Sequence, residues 1–212
     1  GQGGFAGTVH AYRTKKLQSF VELSAGGLGS GTQALGTGWN NDRYFGNIVY
    51  EHSASNGFRR FDNYELSGLD LNQGLYLNEE KTRSLTYTYH TANGFTNYAD
   101  SLTSEEIAQD RTLALYGDRR KTGLEIASLG YAEQLAPDLR MSLIYHNKTS
   151  FVNYSGNSRF YPAVSNTRII SDRAGRGFSG ELEWQTKLFL NDERLIGGFE
   201  DIVNDYHNRN YK

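Results

Sequence analysis

The sequence has no cysteine, only two prolines and a single methionine in 212 residues. Without cysteine, disulfides and thiolate metal sites are both excluded. With Met141 as the lone methionine, a copper site has no soft ligands to use. The scarcity of proline leaves backbone ladders almost uninterrupted. Long hydrophobic runs are missing too. Hydrophobic residues make up 37%, mean hydropathy is -0.63, and no stretch approaches the roughly 20 apolar residues that a membrane helix needs. A net charge of -2 removes the electrostatic case for nucleic acid as a partner. The start, Gly1-Gln2-Gly3-Gly4, has no basic n-region and no apolar h-region of a secretion signal.

What is present is aromatic and glycine-rich: 15 Tyr, 11 Phe and 24 Gly. Tyr and Phe favour pleated, half-buried surfaces, and Tyr also suits the boundary between an apolar medium and water. Period-2 alternation recurs along the chain. Leu85, Tyr87 and Tyr89 share one face against Thr86, Thr88 and His90, and Met141, Leu143 and Tyr145 oppose Ser142, Ile144 and His146. In 181–188, Leu182, Trp184 and Leu188 oppose Glu181, Glu183, Gln185 and Lys187. Four charged or amide side chains in register must face water, because a dry core would impose a heavy desolvation cost. The opposite face meets lipid in a barrel or a second layer in a soluble sandwich, and alternation suits both.

The alternation predicts nine strands at 18–26, 30–39, 43–54, 64–77, 83–92, 122–135, 139–153, 179–190 and 194–207. They are longer than ordinary soluble strands and match the roughly 9–11 residues that cross a bilayer at a tilt. Short polar turns (40–42, 79–82, 137–138 and 191–193) alternate with long segments at 55–63, 93–121 and 154–178. One tidy side and one elaborate side point to an all-β, antiparallel transmembrane β-barrel. Nine is an odd count and the pattern stops on a rising strand, so the expectation is a partial barrel. Within the middle long segment, Thr103-Ser104-Glu105-Glu106 is a capping-box pattern that opens a short helix to about Asp110.

Several segments, in order, resemble TonB-dependent outer-membrane receptors of the siderophore type. Residues 4–16 (Gly-Phe-Ala-Gly-Thr-Val-His-Ala-Tyr-Arg-Thr-Lys-Lys) are similar to the strand that ends the plug, with His10 where Asn is common. Residues 53–60 (Ser-Ala-Ser-Asn-Gly-Phe-Arg-Arg) are similar to the second outer loop, 102–110 to the third, and 180–188 to a recurring barrel strand. The resemblance implies the end of a plug domain at 1–16 and early barrel wall at 17–212, about nine of 22 strands. It further implies location in a bacterial outer membrane, among lipid and lipopolysaccharide. A ferric siderophore or related chelate would be the ligand, with import driven by the TonB complex through parts outside this chain. A passive porin or adhesin barrel and a soluble carbohydrate-binding β-sandwich are the alternatives.

The candidate ligand contacts are Arg59, Arg60, Arg119, Arg120, Arg159, Tyr161, Arg168, Arg173 and Arg176. Arginine presents a fixed fork of donors to carboxylate or catecholate oxygens; pairing with lipopolysaccharide phosphates or local acids is the competing role. His10, His52, His90, His146 and His207 lie on five separate segments with no metal-binding spacing, so no metal or other cofactor is expected. No nucleophile–base–orienter set is present. Gly177-Phe178-Ser179-Gly180 is not a nucleophile elbow, and 26–31 is a hairpin bend lacking the Gly-Lys-Ser/Thr of a phosphate loop. No enzyme is expected.

Overall fold

The structure is a computed structural model that describes residues 19–99, 102–114, 117–156, 167–186 and 193–211. Nine strands form one antiparallel sheet in sequence order: β1 (Phe20–Ala25), β2 (Gly31–Asn40), β3 (Tyr44–Ser55), β4 (Tyr64–Tyr76), β5 (Arg83–Ala99), β6 (Gly117–Ala136), β7 (Leu139–Gly156), β8 (Thr167–Thr186) and β9 (Glu193–Tyr211). Each strand pairs with its sequence neighbours, and β1 and β9 stand at the two edges. The sheet is therefore a meander that is not closed into a barrel. Both edge strands run the same way, so pairing them would create a parallel step that the rest of the ladder lacks.

The short turns fall where polar residues can replace ladder bonds. At the β2–β3 turn, Asn41 Oδ1 accepts from the backbone N–H groups of Arg43 (2.9 Å) and Tyr44 (2.7 Å). At the β4–β5 turn, Asn78 Oδ1 accepts from Arg83 N–H at 3.0 Å. The expected turn at 137–138 joins β6 to β7. Of the turn at 191–193, residues 191 and 192 lie outside the described residues. The Gly-rich bend is a 3-10 turn at Gly27–Gly29.

All nine expected strands exist, but those from β5 onward reach further toward the long connections than alternation predicts. β5 continues to Ala99, β6 begins at Gly117, β8 begins at Thr167 and β9 runs to Tyr211. The expected long loops at 93–121 and 154–178 are corrected accordingly. Arg119, Arg120, Arg168, Arg173 and Arg176 are strand residues, not loop residues. The reason is that in these outer stretches polar side chains stand on both faces (Asn93, Thr96 and Asn97; Arg119, Arg120 and Lys121). The period-2 signal then vanishes while backbone pairing continues.

The sheet has no core of its own. Among the described residues only Ala34 and Ala114 are buried apolar side chains. Large apolar groups stay exposed, Val21 at 76% and Leu23 at 74% among them. Covering about fifteen half-exposed groups of this size is worth roughly 1 kcal/mol each. That total rivals the whole net stability of a domain, so the apolar face is built to meet another apolar medium.

Candidate functional site

Side chains alternate along a strand, and directly paired residues share a face, so the register assigns every strand residue to one of two surfaces. The side-chain contacts between strands agree. His52–Ser67 and His90–Asp70 join direct partners, and Phe178–Phe199 and Arg209–Asp172 join diagonal partners on one face.

One surface carries an apolar band along the short-turn half of the strands. The first polar residue above it, moving toward the long connections, is Gln33 in β2, His52 in β3 and Ser67 in β4, all in the register row of Asn93. It is Asn147 in β7 and Arg176 in β8, in the row of Tyr89. In β9 it is Asp201, in the row of Tyr87. The boundary thus drops six residues over seven strand steps. With about 3.4 Å per residue and 4.8 Å between strands, the band is inclined to the hydrogen-bond rows by about 30°. In β6 it runs from Ala127 to Leu135, eight residue steps, which is about 24 Å of height at that incline. Glu133 interrupts it near the turns, held by Arg83 Nε at 2.7 Å and by the Tyr131 hydroxyl, and the uncharged polar side chains of Gln73 and Thr37 also stand within it.

Aromatic residues rim this band at both margins. Tyr50, Tyr89, Tyr145, Phe178 and Phe199 lie along its upper edge once the incline is allowed for, and Trp39, Tyr44 and Trp184 lie along its lower one. Trp184 donates its indole N–H to Asp138 Oδ2 at 2.8 Å in the β6–β7 turn, so its polar end points to the wet margin.

The other surface is polar and small-residue-rich. Corrected for the same incline, Glu22, Glu51, Asp70, His90, His146 and Glu200 fall within about two residues of one height. Asp70 and His90 pair at 2.5 Å (Oδ1 to Nδ1). Above this acid-rich belt stand Lys148, Arg173 and Arg120; below it Arg194 pairs with Glu183 at 2.6 Å. The sequence reading did not single out Glu51, Asp70 or Lys148. Their signal is opposition to the apolar face, which becomes readable only once the strand register is known.

At the long-connection end, residues 56–63 and 102–114 form an ordered module. Gly57 adopts φ +75°, and a Cβ there would stand 2.2 Å from the Asp62 carbonyl oxygen. Helix α1 (Ser104–Gln109) carries the expected capping box: Thr103 Oγ1 accepts from Glu106 N–H at 3.3 Å, and Glu106 Oε2 accepts from Thr103 N–H at 2.8 Å. Asp110 follows, accepting from the Thr112 N–H (2.8 Å) and hydroxyl (2.7 Å), which hold its carboxyl below the usual 3.8.

Of the nine candidate ligand contacts, the seven among the described residues do not converge. Arg59 gives Nε and Nη2 to the Leu113 carbonyl at 2.9 and 2.7 Å, tying the two long connections together. Arg60 lies over the Phe61 ring at 4.9 Å. Arg119, Arg168 and Arg176 are on the apolar-band surface beyond the band, with Arg119 over Phe95 at 4.6 Å and Arg168 Nε 3.4 Å from Asn153 Oδ1. Arg120 and Arg173 are on the polar surface, Arg173 over Tyr206 at 5.5 Å. Arg159 and Tyr161, like the plug-like segment 4–16, lie outside the described residues. No protein-family model matches the chain, and no curated protein matches it.

Proposed function

We propose that this sheet is wall of an outer-membrane β-barrel, and that the protein is a receptor-transporter binding a ferric siderophore or similar scarce nutrient for import with energy from TonB. The observation that carries the reading is the inclined two-faced band. Its height of about 24 Å and its slope of about 30° approach the 25 Å apolar band and 35–45° strand tilt of outer-membrane barrels, and aromatic rims at both margins are a further mark of that class. In this frame the long connections lie outside the cell, and the polar surface lines the wet interior. Strands extending past the band are then walls of a vestibule standing above the lipid.

The frame also sorts the arginines. Arg120 and Arg173, with Lys148 below them, face the interior vestibule and are the first contacts for an anionic chelate, joined by Arg60 at the rim. Arg59 orders the outer module. Arg119, Arg168 and Arg176 face outward above the lipid, where anionic headgroup chemistry is within reach. The test is deletion of the gene in its host under iron limitation, with one chelate supplied at a time. Loss of growth on one chelate, restored by the gene, is expected; normal growth on every iron source sinks the siderophore assignment. A porin instead would pass small solutes in liposome-swelling assays with no dependence on TonB.

A further inference from the structure

The apolar-band surface carries a groove of about 510 Å³ that the transport reading does not use, and we propose that it binds a sugar ring. The proposal rests on the orientation given above, which places this surface on the outside of the wall and the groove just above the lipid. Its floor is Phe151, whose ring lies across Gly123 where a Cβ would otherwise stand. Phe151 as a residue is 42% exposed, with one ring edge seated over Gly123 and the rest open. Asn93, Thr149, Glu125 and Asp205 surround it, and Asp172 is fixed at 2.8 Å by Arg209 Nη2. No hydrogen bond or ion pair engages Glu125, Thr149 or Asp205 among the described residues.

This combination selects against several ligand classes. Asp172 and Arg209 neutralise each other, and the Arg173 side chain is turned over Tyr206 on the opposite surface. Glu125 and Asp205 then outnumber the remaining basic group, His207, and leave the lining acidic, so phosphate and carboxylate ligands are disfavoured. A purely apolar ligand would strand those carboxylates in a drier setting, at a desolvation cost. A neutral or amino sugar avoids both costs. Its C–H face lies on the open aromatic ring, while its hydroxyls or ammonium donate to acceptor-only carboxylates and to the Asn93 and Thr149 oxygens. The volume lies within the range of small-molecule sites.

Height supplies the occupant. Phe151 sits about four residues above the polar edge of the band, or roughly 12 Å at the measured incline. That is beyond the phosphate level of a glycolipid leaflet and among its sugars. The bound ring is therefore an uncharged or amino sugar of a glycolipid headgroup in the surrounding outer leaflet, with that headgroup's phosphates and carboxylates lying off the groove.

The experiment places the protein in nanodiscs containing rough-type lipopolysaccharide and measures glycolipid retained after exchange into phosphatidylcholine, alongside binding of the core oligosaccharide freed from the same lipid. Phe151→Ala should lower both signals by about five- to tenfold, on the scale of one aromatic contact. Gly123→Val, which displaces the ring without touching a polar group, should do the same, and Phe151→Leu should fail to restore binding. Wild-type retention in Phe151→Leu or Gly123→Val overturns the stacking site. Binding of the free oligosaccharide without retention of the lipid overturns the glycolipid assignment while leaving a sugar site. Oligosaccharide binding by a protein that folds in plain buffer would instead overturn the membrane orientation. Equal capture by phosphatidylglycerol discs would show an anion surface and overturn the proposal.

Discussion

Substituting arginine at Leu129 and at its neighbour Ser128 separates the two surfaces of the sheet at one height. Leu129 is on the apolar-band surface of β6 and 49% exposed. It lies two residues below Ala127, the top of the band in β6, hence about 6 Å inside a band about 24 Å high. An arginine on the lipid face costs about 2–4 kcal/mol at the bilayer midplane and about 0–1 kcal/mol near the interfaces, so about 1–2 kcal/mol is expected at this depth. Ser128 points to the opposite surface, paired with Thr88 and His146. Arginine there enters a polar row, and the expected cost is below about 0.5 kcal/mol.

The assay is denaturant titration of the protein folded into phosphatidylcholine vesicles. Ala127→Arg, two residues nearer the edge, supplies the control that a soluble alternative cannot meet. Depth-dependent cost is a property of lipid, so Ala127→Arg should cost about half as much as Leu129→Arg and less again in thinner bilayers. In a β-sandwich the same face would be a dry core, and bilayer thickness would not matter. Equal costs at 128 and 129, or costs unchanged by lipid, refute the face assignment. Folding in buffer without lipid or detergent refutes the membrane frame itself.

Three further outcomes concern the outer module. Arg59→Ala removes two charge-assisted bonds to the Leu113 carbonyl, and the segment 110–114 should exchange amide hydrogens about tenfold faster, corresponding to a half-exposed bond of about 1–1.5 kcal/mol; unchanged protection would show that the tie is idle. Thr103→Ala should destabilise α1 by about 1 kcal/mol, read by proteolysis within 104–109, with Thr103→Ser restoring it. Asp110 titrates below its usual 3.8 because Thr112 favours the charged form. Its contribution is therefore complete above 3.8 and lost as pH falls through the depressed value. Amide exchange at Thr112 should rise over that acid window, and in Asp110→Asn the pH dependence should disappear.

Much of this fold is written in residue alternation, and the places where it is not share one physical cause. Met141, Leu143 and Tyr145 against Ser142 and His146 announce a strand because one face meets an apolar medium and the other does not. At Asn93, Thr96 and Asn97, or Arg119, Arg120 and Lys121, both faces are polar, and pairing alone holds the chain extended. No single-strand pattern can report that. The same blindness placed five arginines in loops and grouped them as one site, whereas parity sends Arg119, Arg168 and Arg176 to one surface and Arg120 and Arg173 to the other. The capping box at Thr103 was legible because both of its partners are local in sequence. The grip of Arg59 on Leu113 spans 54 residues and was not.

The acid belt and the cations above it impose opposite electrostatic effects on an anion moving along the polar surface. If an anionic chelate enters past Arg120 and Arg173, Lys148 and Arg173 attract it while Glu51 and Asp70 repel it further down, so it should halt between them. Two charges about 10 Å from the ligand are worth roughly 0.4 kcal/mol each in water. Lys148→Gln with Arg173→Gln should therefore weaken capture of a ferric tricarboxylate probe about fourfold at low salt, and the difference should fade near 0.5 M salt as screening shortens to a few ångströms. Glu51→Gln with Asp70→Asn should leave equilibrium capture unchanged or slightly tighter and speed passage inward. Equal weakening by both pairs, or a loss that salt does not erase, would mean that the residues shape the wall and do not steer the ligand.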